Sequence, residues 1–167
     1  TGTEDVNRLF SMMREYQLKI AQPSLVMSYY TYKHTAFHPF YILRYTNFVE
    51  MMMPCFSRDS LKAVLPTFEA HVRWCGIEYH WSVLIGSNHK DMAIIDSIGA
   101  RHTQPIRSWS TTSQMQFEKY LEKYNLSSKI EEFGGVPIGD VYSDSKQTFD
   151  RLREDCDKLK QYLYSDG

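Results

Sequence analysis

The sequence predicts an α+β domain, helices around a centre of short strands, and three observations carry that expectation. Apolar residues recur at three- and four-residue spacing near both ends of the chain, in "EDVNRLFSMMREYQLKI" and in "KQTFDRLREDCDKLKQYLY". Between them the pattern tightens into short apolar runs, "HWSVLIG" and "DMAIIDSI", separated by the polar turn "SNHKD". The 167 residues are 43% hydrophobic and 14% aromatic, enough for one domain with its own core. Residues 1–167 are therefore read as a single domain, with no internal repeat, low-complexity tract or Gly/Ser linker to divide it.

Taken in order, Glu4 to Ile20 reads as a helix with Val6, Leu9, Phe10, Met13 and Leu18 near one side and Thr3 as its N-cap. "FHPFYILRYTNFVEMMM" reads as a second helix, entered at Pro39 and apolar on most sides, hence interior. A short third helix over "SRDSLKAVL" is expected to close at Pro66. "TFEAHVRWCGI" alternates loosely, and "HWSVLIG" and "DMAIIDSI" read as two adjacent antiparallel strands. "TTSQMQFEKYLEKYNL" reads as a helix with Met115, Phe117, Leu121 and Tyr124 as its buried candidates, and "GGVPIGDVYSDS" as a short strand and loop. The last helix, capped by Ser143, Asp144 or Ser145, carries Phe149, Leu152, Cys156, Leu159 and Leu163 along one stripe. Its charged side is a solvated face with pairs such as Glu154 and Lys158.

Charge and cysteine usage narrow the class. A net charge of −1 gives no global field that would recommend nucleic acid or an anionic membrane. Cys55, Cys75 and Cys156 are odd in number and widely spaced, without a CxxC pair, which argues against a disulfide framework and a zinc site and for a reducing intracellular compartment. No apolar run approaches the roughly eighteen residues of a membrane span. The opening Thr-Gly-Thr is expected to be a cut boundary of a longer protein. His34 and His38 have the i, i+4 spacing of metal ligands, yet Pro39 follows and no acidic third ligand is near, so they read as structural or surface histidines. No metal or cofactor is expected. Met51 to Met53 read as helix interior or a partner patch. Cys156, on the apolar stripe of the last helix, reads as a buried thiol, and Cys55 and Cys75 read as core.

The chemistry-bearing residues converge on the two central runs. In an antiparallel hairpin, His80 at the start of one strand and Asp96 at the end of the next are neighbours, and an imidazole beside a carboxylate is the orienting pair of a catalytic triad. Ser145, after Asp144 and just ahead of the last helix, is the candidate third group.

His80-Trp81, Asp96-Ser97 sixteen residues on, Pro137 and Asp144-Ser145 together resemble the SUMO and ubiquitin-like-protein cysteine proteases of the Ulp/SENP type, over roughly Val72 to Phe149. The resemblance implies a papain-like cysteine-protease fold of the SUMO-protease type, a small mixed sheet flanked by helices. It places His80, Asp96 and Ser145 at the triad positions and Trp81 in the tunnel that receives the modifier's tail. It also implies three replacements. Ser145 stands where the family has its cysteine, Gly139 where a glutamine donates to the oxyanion, and Lys146 where a glycine follows the nucleophile.

Those losses compound. A cysteine beside an imidazole at a helix start can rest as thiolate, whereas a serine must lose its proton during attack and needs an oxyanion hole. One missing oxyanion donor costs about 100- to 1000-fold in rate. The leading expectation is a catalytically inactive, protease-derived interaction domain or assembly subunit. Its partner would be SUMO, ubiquitin or another protein, with Phe149, Leu152, Leu159 and Leu163 as the contact stripe for a partner or a second copy. The alternatives are an active isopeptidase whose cysteine has been replaced by Ser145, and a working serine hydrolase. Nuclear or cytoplasmic residence is what the family suggests. Only twenty-two residues follow Ser145, so the end of the fold is expected to be shortened or remodelled.

Overall fold

Strands β1 (Ile20–Leu25), β2 (Tyr41–Thr46), β3 (Cys55–Phe56), β4 (Met92–Ala100) and β5 (Glu132–Pro137) form one sheet in the order β3-β1-β4-β2-β5. β1 and β4 run parallel and the other neighbours antiparallel, which makes the sheet mixed. In this computed structural model, residues 2–27, 32–69, 76–103 and 110–140 are described. Helix α1 (Thr3–Glu15) covers one face, and α2 (Arg58–Glu69), α3 (Glu78–Leu84) and α4 (Thr111–Tyr124) cover the other. The α+β class, with helices around a centre of strands, is as the sequence predicts.

Side-chain alternation along β4 separates two cores. Ala93 and Ile95 join Leu9 and Met13 of α1, together with Ala21 and Leu43. Met92 and Ile94 point the other way, to Val64 of α2, Trp81 of α3 and Tyr120 of α4. A strand buried on both faces reads as a continuous apolar run, and "MAIIDSI" is one.

Helix α1 ends earlier than its periodicity suggests. Gln17 takes φ +53°, the Leu18 amide donates back to the Met13 carbonyl at 2.8 Å, and the chain turns into β1. Leu9 and Met13 are buried, while Val6 and Phe10 of the expected stripe are exposed. The N-cap is Gly2, not Thr3, with its amide donating to Asp5. Helix α2 runs through Pro66 to Glu69 instead of closing at it. Helix α4 is where the spacing puts it, with Ser110 Oγ accepting from the Ser113 amide at 3.1 Å. Tyr120 is its buried residue, Phe117, Leu121 and Tyr124 are half-buried, and Met115 is exposed.

Two apolar runs take the opposite structure to the one expected. "YILRYT" is strand β2, not helix: its ladders to β4 and β5 satisfy its backbone, and neighbours on both faces explain why no polar side is visible. "HWSVLIG" is helix α3, not a strand. Ile77, Trp81 and Ile85 recur every four residues and turn to the second core, while Val83 is 62% exposed, which an alternating strand would not allow. Gly76 precedes α3 at φ +88° with the Phe117 ring 3.0 Å from where a Cβ would stand, so both backbone and packing require glycine. Cys55 lies half-buried in β3, and Met51 packs against the second core from the turn after β2. Among the described residues no helix is long and apolar enough to cross a membrane.

Candidate functional site

The hairpin that would join His80 to Asp96 does not form, and the two residues have separate partners. His80 sits in the first turn of α3, half-exposed, its Nδ1 3.0 Å from the Tyr120 hydroxyl and its ring 4.6 Å from that of Tyr124. Burial lowers its pKa, so it is neutral at pH 7. Asp96 lies inside β4 with no exposed surface. Arg44 Nε donates to its Oδ2 at 2.8 Å and Nη2 to Oδ1 at 3.1 Å, and the His38 backbone amide donates to Oδ1 at 2.9 Å.

Arg44 is the hub of this network. From the second strand of a buried ladder it also donates Nη1 to Glu132 on β5 and Nη2 to the Ala36 carbonyl, both at 2.8 Å. One guanidinium thus ties β4, β2, β5 and the chain ahead of β2 together. Burial pushes the Asp96 carboxyl up, against the pull of Arg44 and the His38 amide. Burial also pulls the Arg44 pKa down, but its two carboxylates outweigh that and raise it. Asp96 stands at a break in the sheet: the step from Pro23 to Ser24 in β1 matches a step from Ile95 to Gly99 in β4. The extra β4 residues give its carboxylate room to meet Arg44 and the His38 amide together. His34 Nε2 lies 3.4 Å from the Phe48 carbonyl, and burial lowers its pKa. His34 and His38 thus serve different neighbours.

Trp81, assigned by the resemblance to a substrate tunnel, is fully enclosed. Its Nε1 donates to Thr67 at 3.3 Å and its ring meets Phe56 and Phe68. Gly139 lies exposed in the one-turn 3-10 helix Ile138–Asp140, and nothing stands within 4 Å of where a Cβ would be. No packing there demands glycine, and no side chain is present to stabilise an oxyanion. Ser145, Lys146, Phe149, Leu152, Leu159 and Leu163, like Cys75, Glu154, Cys156 and Lys158, lie outside the described residues.

A second group of ionisable residues went unread in the sequence. Glu50, after β2, and Glu78, opening α3, are each 6% exposed. Both carboxylates bear on the phenols of Tyr32 and Tyr79, which hydrogen-bond to each other. Burial chiefly raises both pKa values and the two charges add to it, while the hydrogen bond raises Tyr32 and lowers Tyr79. The Tyr120 phenol, pushed up to about 12 mainly by burial, also senses Glu78. Phe48 packs between Tyr32 and Tyr79 at 4.6 Å from each ring. The one available signal was an acid inside an apolar run, in "NFVEMMM" and "GIEYHW".

Among the hollows lined by described residues, two are shallow. One, about 330 Å³, lies between α1 and β3 and is lined by Phe10, Met13, Leu18 and Phe56 with Arg14 and Ser57. The other, about 280 Å³, is more polar and lies beside the stacked rings of His89 and Phe133. Neither is lined by His80, Asp96, Glu50 or Glu78. Helix α2 buries Ser60 and Thr67 with Val64 while turning Leu61 and Leu65 to solvent, 42% and 49% exposed. No family model, no curated protein and no solved structure matches the chain.

Proposed function

We propose that this chain is a non-catalytic, protease-derived domain that works by holding another protein. The observation that supports this reading is the engagement of Asp96. Both of its oxygens are taken by Arg44 and the His38 amide, so the carboxylate fastens β2 to β4. The imidazole of His80 has a phenol for its partner instead of an acid. Descent from a papain-like SUMO protease is the finer part of the proposal and rests on the residues His80-Trp81, Asp96-Ser97, Pro137 and Asp144-Ser145. The held protein is SUMO, ubiquitin, an assembly subunit or a second copy, met through the apolar stripe of Phe149, Leu152, Leu159 and Leu163. Nuclear or cytoplasmic residence is part of the same proposal.

Two measurements test it. The Ser145→Cys chain, treated with SUMO- and ubiquitin-derived vinyl or aldehyde probes, is expected to form no covalent adduct; capture at position 145 would reinstate the isopeptidase reading. Titration of labelled SUMO and ubiquitin, with sedimentation of the chain alone, is expected to show saturable binding or self-association that Leu152→Ser with Leu159→Ser weakens. A chain that binds neither modifier and stays monomeric leaves the reading without support.

A further inference from the structure

The hollow of about 330 Å³ between α1 and β3 joins an apolar floor to a positive charge that has no ion-pair partner among the described residues. Met13 and Leu18, both buried, and Phe56 of β3 make the floor, while Phe10, which also lines it, is 41% exposed. One helical turn earlier Val6 is 43% exposed on the same side of α1, so the apolar surface continues along the helix. Arg14 and Lys19 are the charged residues that line the hollow, and among the described residues no carboxylate does. Lys19 is held by Asp91 at 3.0 Å and by the Ile85 carbonyl. Arg14 is exposed and donates to the Ser11 hydroxyl at 3.1 Å, and the positions three and four residues from it on either side hold no acid. Gln17 stands beside it at φ +53°, a conformation that favours glycine, and its exposed amide has no hydrogen-bond partner among the described residues.

We propose that this hollow is a docking site for a peptide segment of a partner protein, one that places a bulky apolar side chain beside a carboxylate. The apolar side chain enters between Phe10 and Phe56, and the carboxylate meets the Arg14 guanidinium, with the Gln17 amide as a second donor. Charge complementarity selects this occupant. An acid beside the apolar group supplies the counter-charge that Arg14 lacks, whereas a lysine or arginine there would face Arg14 and Lys19. The volume is at the low end of the roughly 300–1,000 Å³ of ligand sites, which suits side chains of a peptide. Docking also gives a reason for a glutamine where glycine would suit the backbone better, because strained residues are kept where their side chains serve a ligand. The hollow uses none of the residues on which the protease-derived reading rests, so the two stand or fall separately.

The test uses the whole chain and short fluorescein-labelled peptides with one Leu-Phe pair flanked by glutamates, lysines or serines. Anisotropy measures affinity, and amide NMR locates the contact and registers millimolar binding. The glutamate peptide is expected to bind most tightly, with shifts concentrated at residues 6–19 and 55–57, and to weaken as salt rises. Arg14→Gln is expected to weaken that peptide roughly two- to fivefold, the value of one exposed ion pair, and to leave the serine peptide unchanged. Phe10→Ser is expected to weaken all three. Gln17→Gly is expected to raise the unfolding midpoint and still weaken the glutamate peptide, a combination that a purely structural residue does not give. All three positions are exposed, so the variants fold, and their urea midpoints check this. Equal binding of the three peptides, shifts confined to other parts of the chain, or no binding at millimolar peptide overturns the proposal. So does binding that neither Phe10→Ser nor Arg14→Gln weakens. Concentration-dependent shifts at the same residues in the peptide-free chain also overturn it, by putting a second copy in the hollow.

Discussion

Asp96 and Arg44 carry the largest single-residue consequence. Asp96 has no exposure and Arg44 very little, and the pair is bidentate, so removing one partner strands a charge in a medium that cannot solvate it. Asp96→Ala is therefore expected to cost roughly 3–5 kcal/mol in urea unfolding. Replacing both partners by apolar residues, Arg44→Met with Asp96→Leu, is expected to recover a good part of that loss, although Glu132 then gives up its ion pair. A triad aspartate would behave differently, because its removal would cost activity more than stability. At this scale the sequence paired Asp96 with His80 as members of a triad, and the structure pairs its carboxylate with Arg44 instead. Arg44 lies fifty-two positions away, and nothing in "YILRYT" shows which acid its guanidinium will reach. Glu50 and Glu78 were equally illegible, since burial of an acid depends on neighbours that local spacing does not reveal.

The ends of α1 and α4 use the same device. At α4 the left-handed residue is Asn125, φ +51°, with the Leu126 amide returning to the Leu121 carbonyl at 2.9 Å. At α1 it is Gln17, whose side chain gains nothing from that conformation. Gln17→Gly is expected to raise stability by about 1 kcal/mol, read as a higher unfolding midpoint with unchanged denaturant slope. Both helices were legible, because an amphipathic period over a dozen residues needs only one apolar surface to pack on. β2 and α3 were not. Each is six or seven residues long and apolar on most sides, and such a run satisfies either period. β2 is a strand because β4 and β5 supply hydrogen bonds on both edges. α3 is a helix because Trp81 fills a slot between Phe56, Phe68 and Thr67 beside Ile77 and Ile85, while Val83, which a strand would turn to the same face, goes to solvent.

Across the whole molecule, two kinds of buried titratable group set opposing pH limits. Glu78, raised to about 7, contributes about 3 kcal/mol that is lost between pH 4.5 and 7. His34, lowered chiefly by burial, works the other way: its contribution is present above its ordinary value of 6.5 and is lost as pH falls below it. Wild-type stability is therefore expected to change little where the two slopes oppose each other, below pH 6.5. Glu78→Gln is expected to lack the fall toward pH 7. That leaves the rise of His34 and His80, both lowered by burial, up to 6.5 against the opposing slope of Asp96, whose carboxyl burial also pushes up. Urea unfolding at half-unit intervals checks this, and a Glu78→Gln chain whose stability still falls between about pH 6 and 7 as steeply as wild type would contradict it.

The sequence by itself determined the α+β class, the long amphipathic helix α4, most of α1 and the doubly buried strand β4, because each depends on a local period or a composition that neighbours cannot reverse. Tertiary structure alone decided that β4 lies between β1 and β2, that "HWSVLIG" coils into a helix, and that His80 meets Tyr120 while Asp96 meets Arg44. The physical reason is the same in each case. A short apolar run or an isolated charge carries no information about its partner until the chain has folded, and the burial and hydrogen bonds that partner supplies outweigh the run's own preference.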